Sequence, residues 1–109
     1  MALTLTLRPT RVLMACGDEV GCLVSVDGQL AAVLVRLDAD FHGADQGSWN
    51  LEAGFGACDV RSCDPFRLLS DAVAWVADRV GAPASSALAA LRTIGNGEDG
   101  PSLLYPSVE

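Results

Sequence analysis

Apolar positions in the first half of the chain recur with a period of two, the signature of strands with one covered face. Residues 3–7 alternate Leu and Thr, and Arg11-Val-Leu-Met-Ala-Cys16 continues as an extended run beyond Pro9. These residues predict a first strand over about 3–16, with a break or bulge where the proline lacks a ladder N–H. Gly17-Asp18-Glu19 reads as a turn, followed by strands over about 20–26 and 29–37 on either side of Asp27-Gly28. Asp-Gly between two β-branched runs predicts a tight hairpin, because the favoured turn needs positive φ at both central positions. In the 29–37 run both alternate sets are apolar, Ala31, Val33, Val35 and Leu37 on one side and Leu30, Ala32 and Leu34 on the other. Such a strand is expected to be covered on both faces, by helices on one and by a second copy of the chain on the other.

Residues 38–47 form a polar, glycine-punctuated loop, and 48–56 resume the alternation with Trp49, Leu51, Ala53 and Phe55 on one face. This fourth strand is expected at or near a sheet edge. The period then changes to three and four. Phe66, Leu69, Val73, Val76 and Val80 predict a helix over about 65–80, with Asp64 as N-cap, Pro65 at the first helical position and Gly81 as its stop. A second helix over about 84–94 follows Pro83 and ends at Gly95. The expected fold is therefore α+β: an antiparallel three- to four-stranded meander followed by two helices packed on one face, forming one domain over 1–95. Residues 96–109 are expected to be a loosely ordered tail, tacked down by Leu103, Leu104 and Tyr105.

Composition narrows the function classes. The chain has 109 residues, half of them hydrophobic, enough for one domain core. Fourteen acids against seven bases give a formal charge of −7, and every base is an arginine. The arginines do not cluster, so nucleic acid is a poor partner. With no lysine, Schiff-base chemistry is excluded. No run approaches the roughly 18 apolar residues of a membrane span, and the alternating amino terminus does not read as a signal peptide. A cytoplasmic protein is the expectation.

Four groups of residues carry candidate chemistry. Cys16 and Cys22, with Cys58 and Cys63, make two pairs that could supply four thiolates to a tetrahedral zinc, although the intervals within the pairs are wide for such a site. The plain alternative is buried or free thiols, with disulfides only in an oxidising location. Asp38-x-Asp40-x-His42-Gly43 copies the opening of a calcium loop, but Trp49 stands where the bidentate glutamate belongs. His42, the single histidine, could be oriented by Asp40 or Asp45 as a general base in a small enzyme or ligand binder. No serine or cysteine sits in a nucleophile elbow, and Gly54-Phe-Gly56 and Gly95-Asn-Gly97 lack the context of phosphate cradles.

The acids form the fourth group. Asp38, Asp40 and Asp45 crowd one loop, while Asp64, Asp71 and Asp78 fall seven apart along the expected first helix, beside Leu68 and Trp75. An acidic stripe is ordinarily a solvated helix face; next to apolar anchors it also suits a basic partner. The leading expectation is a small non-catalytic protein-binding domain, an inhibitor or immunity-type protein engaging a basic surface through these eight residues, and itself able to dimerise. A cysteine-based zinc module and a His42-centred site are the alternatives.

Overall fold

The computed structural model describes residues 3–13 and 17–95. Four strands, β1 (Leu5–Arg11), β2 (Val20–Val26), β3 (Gln29–Arg36) and β4 (Trp49–Gly54), form one antiparallel sheet in the order β1-β2-β3-β4. Helices α1 (Leu69–Val80) and α2 (Ala84–Gly95) follow, so the α+β meander is observed. The 96–109 segment assigned to a tail lies outside the described residues.

The β2–β3 hairpin turns where the Asp-Gly pair requires it, with φ of 50° at Asp27 and 86° at Gly28. Asp27 also ties down the start of β1. Its carboxylate accepts the Thr4 N–H at 2.9 Å, and its own N–H donates to the Thr4 carbonyl at 2.9 Å. β1 is shorter than the 3–16 expected and does not break at Pro9. Leu5 pairs with Val26 and Arg11 with Val20 in one unshifted register. The inward ladder bonds fall on even positions, as the Asp27-to-Thr4 and Val12-to-Glu19 bonds at its two ends show. Pro9 therefore turns its missing N–H to the outer edge.

One face of the sheet is dry. Leu5 and Leu7 of β1, Cys22 and Val24 of β2, Ala32 and Leu34 of β3, and Trp49 of β4 meet Leu69, Ala72, Val73, Val76 and Ala77 of α1. Ala87, Ala90 and Ile94 of α2 complete the core. Each fully buried Val or Leu contributes about 1.5–3 kcal/mol, so this layer is the main source of stability. α2 also reaches the chain start, where Ser86 Oγ donates to the Leu3 carbonyl at 2.7 Å. Among the described residues, the indole Nε1 of Trp49 is the buried side-chain polar atom left without a hydrogen bond.

Helix α1 begins at Leu69, four residues after the expected start. Asp64-Pro65 does not cap it; Leu68 is the N-cap, extended at φ −125° and ψ 149°, with no side-chain cap. The reason is a strand-like bridge upstream: Phe66 and Trp49 exchange both backbone hydrogen bonds, at 2.6 and 2.7 Å. Satisfying Phe66 in this way demands extended backbone and covers the outer edge of β4 at that point. At the other end Gly81, at φ 81°, closes α1 with the double bond pattern of a left-handed cap, Ala82 N–H to Ala77 and Gly81 N–H to Asp78.

The opposite face of the sheet is only partly covered. Val35 is buried on it, and Val12 folds across its cross-strand neighbour Gly21; a Cβ at residue 21 would lie 2.9 Å from Val12 Cγ1. Leu23 and Val33 remain partly exposed at its centre.

Candidate functional site

In an antiparallel meander alternate connections emerge at the same end of the sheet, so the β1–β2 connection lies beside the loop between β3 and β4. Asp18 of the first connection is only 1% exposed, with its carboxylate turned into the second. Asp18 Oδ1 accepts the backbone N–H groups of Asp38 and Ala39 at 2.7 and 2.8 Å. Its Oδ2 lies 2.7 Å from His42 Nε2. A carboxylate can only accept, so Nε2 carries the proton of this bond. Burying a charge is costly unless it is fully hydrogen-bonded, and these donors meet that requirement.

The loop backbone is shaped to deliver the imidazole. Two short 3-10 turns over Asp40–Asp45 are joined at Gly43, whose φ of 62° and ψ of −124° would strain any other residue. Arg36 Nε donates to Asp38 Oδ1 at 2.8 Å, and Gln46 Nε2 donates to the Asp38 carbonyl at 2.8 Å and to Asp40 Oδ1 at 3.3 Å. Phe41 stands 72% exposed, its ring centroid 4.4 Å from that of the anchored His42. Chemically the cluster is an anchor. Asp18 grips the loop at three points and leaves Phe41, Asp40 and Asp45 on its outer surface.

The predicted residues divide accordingly. The carboxylate that orients His42 is Asp18, not Asp40 or Asp45. Asp38 is turned inward to Arg36, whereas Asp40 and Asp45 are exposed and form no ion pair among the described residues. On α1, Asp71 and Asp78 are exposed on one face; Asp64 lies before the helix, in the extended segment. Arg67 also precedes the helix and makes no ion pair with Asp71. Leu68 is 48% exposed, while Trp75 is half-buried between Phe66, 5.7 Å away, and the Arg79 guanidinium, 5.7 Å from its ring. Arg79 is held there by the Ala57 carbonyl at 2.8 Å.

Of the cysteines, Cys22 and Cys58 are buried in the core, Cys63 is partly exposed, and all three are free; Cys16 lies outside the described residues. Burial pushes the Cys22 thiol up to about 12, with a hydrogen bond to the Arg8 backbone opposing. Burial also raises the Cys58 thiol, with Arg79 opposing, and raises Cys63, with the charge of Asp64 adding to it. Such thiols are poor nucleophiles near neutral pH. Among the described residues no three or more His, Cys, Asp or Glu side chains converge as metal ligands, in the 38–45 loop or elsewhere. No helix among them is long and apolar enough to cross a membrane.

Comparison of the chain with protein-family models, with curated proteins and with solved structures gave no significant match.

Asp18 carried no local signal in the sequence, where Gly-Asp reads only as turn chemistry. The meander topology itself was the available clue, since it sets residues 17–19 against 37–48.

Proposed function

We propose that this protein is a small acidic binding domain that engages a basic protein surface through the 38–47 loop. The observation that carries this reading is Phe41, 72% exposed on a loop whose base is fixed by the buried Asp18. An aromatic anchor already held in place loses little conformational entropy on binding, which is what makes such residues dominate interface energies. Asp40 and Asp45 flank it without basic partners among the described residues, so the rim supplies charge complementarity to arginine or lysine. Asp71 and Asp78 on α1 and Leu68 at its N-cap are also exposed and add acidic and apolar character to the surface. An inhibitor or immunity-type role belongs to this class of function.

The same cluster is less suited to catalysis. Asp18 accepts two loop backbone N–H groups on one oxygen, which is the work of an anchor rather than of a residue that only orients a base.

The test is titration of the full chain with basic proteins at low and high salt. Binding is expected to weaken steeply with ionic strength, and Phe41→Ala to cost at least about tenfold in affinity. Affinity indifferent to salt, or unchanged by Phe41→Ala, overturns the reading.

A further inference from the structure

The sheet face turned away from the helices bears its charges in an order that fits a copy of itself. One cross-strand row runs Arg8, Leu23, Val33, Ala53 from β1 to β4. Beside Ala53, at the irregularity in the β3–β4 register, stands Glu52. Its carboxylate accepts from the Asn50 side chain at 2.7 Å, and Asn50 lies between the inward residues Trp49 and Leu51, so Glu52 shares the open face. Arg8, between the buried Leu5 and Leu7 and Pro9 in alternation, is on that face at the other edge. Both are exposed, and neither forms an ion pair among the described residues. They cannot meet within one chain, because three strand spacings separate β1 from β4 by about 14 Å.

We propose that this face is the interface of a two-fold dimer of the chain, with the axis running along the strands. That operation lays β1 over β4 of the partner subunit and β2 over its β3, at the same level along the sheet. Arg8 then meets Glu52 of the partner subunit, and the same contact repeats at the opposite edge. Leu23 and Val33, both partly exposed, pack between the two ion pairs, each against the other residue type of the partner subunit. A two-fold contact must be self-complementary, and a row ordered base, apolar, apolar, acid satisfies that condition in this orientation. Aligned packing of twisted sheets is also the common sheet-on-sheet geometry.

Size sets the strength. Four strands at about 4.8 Å spacing, some seven residues long at about 3.3 Å each, give a flat projection of roughly 440 Å² per subunit. Even doubled, to about 880 Å², this falls below the roughly 1,200 Å² of a standard specific interface, so the dimer is a weak, transient one. The charges fix orientation more than they add affinity. This face is distinct from the Phe41 loop and carries none of Asp40, Asp45, Asp71 or Asp78. The two proposals therefore stand or fall separately.

Charge reversal tests it on the full chain. Sedimentation at about 10–500 μM and low salt should show a monomer–dimer equilibrium for the natural sequence. Arg8→Glu sets four acids against one another, and Glu52→Arg sets four bases, so each alone should weaken self-association at least about tenfold. Mixed in equal amounts, the two variants restore both ion pairs and should associate as the natural protein does. A natural sequence monomeric throughout overturns the proposal. So does either single reversal dimerising undiminished, or a mixture that stays monomeric. Both substitutions are at exposed positions, and circular dichroism confirms that each variant is folded before it is scored.

Discussion

Replacing Asp18 gives the most informative perturbation of the loop anchor. Asp18→Ala removes an acceptor that serves the Asp38 and Ala39 N–H groups and the His42 ring. Two backbone donors are then stranded at a site where the natural side chain was 1% exposed. Each buried unsatisfied donor costs about 1–3 kcal/mol, and part is regained because a charge is no longer buried. A net loss of about 3–4 kcal/mol follows. For a domain of this size each kcal/mol moves the melting temperature by about 4–8 °C, so Asp18→Ala should melt roughly 12–30 °C lower. Asp18→Asn keeps an oxygen for both N–H groups and alters the side facing His42, which adapts by moving its proton to the other ring nitrogen. Its cost should be about 1–2 kcal/mol. Urea unfolding followed by the fluorescence of buried Trp49 measures both, and amide exchange at Asp38 and Ala39 reports the anchor directly. Equal losses for the two variants, or a loss under about 0.5 kcal/mol for Asp18→Ala, would refute the three-point anchor.

Two further outcomes follow from the core. The folded protein keeps the Cys22 thiol protonated up to about 12, against an ordinary value of 9.0, whereas the unfolded chain releases that proton near the ordinary value. The unfolded state thus binds fewer protons between these limits, and stability should fall as pH rises from about 9 towards 12, by on the order of 1 kcal/mol at pH 10. Urea melts at pH 7 and 10 check this, and Cys22→Ala should flatten the difference; an unchanged difference speaks against Cys22 as its source. At Gly54 an added Cβ would collide with the Cys58 carbonyl, part of the Gly56–Cys58 turn packed on β4. Gly54→Ala should therefore cost more than about 2 kcal/mol in thermal or urea unfolding, well beyond the small gain Ala brings to an unstrained site. A neutral result would mean that the turn can move away freely.

The sequence made the element order readable because each segment's hydrophobic period matched its final environment. Asp27-Gly28 fixed the hairpin through φ alone, and Leu69, Val73, Val76 and Val80 fixed the inward stripe of α1. Misreadings arose where a distant partner decided a local choice. Pro65 is a good first helical residue, yet Phe66 is held extended by Trp49, and no window around residue 65 contains that information. Pro9 looked like an interruption because sequence does not say which side of a strand faces a neighbour. At the candidate site His42 and its acidic loop were visible, but the carboxylate it meets lies twenty-four residues away. Asp38, grouped with Asp40 and Asp45 by composition, is set apart by the guanidinium of Arg36, which reaches it across one intervening residue.

The position of Pro9 also bears on how the protein behaves in crowded solution. A bare sheet edge is a template on which further chains can add as strands, each exposing a fresh edge to the next. Here one edge lacks a donor in its middle and is bordered by Arg11, while the other is occupied at Trp49 by Phe66. Growth by edge addition is impeded in both directions. The face-to-face contact proposed above would, by contrast, end once two copies have met.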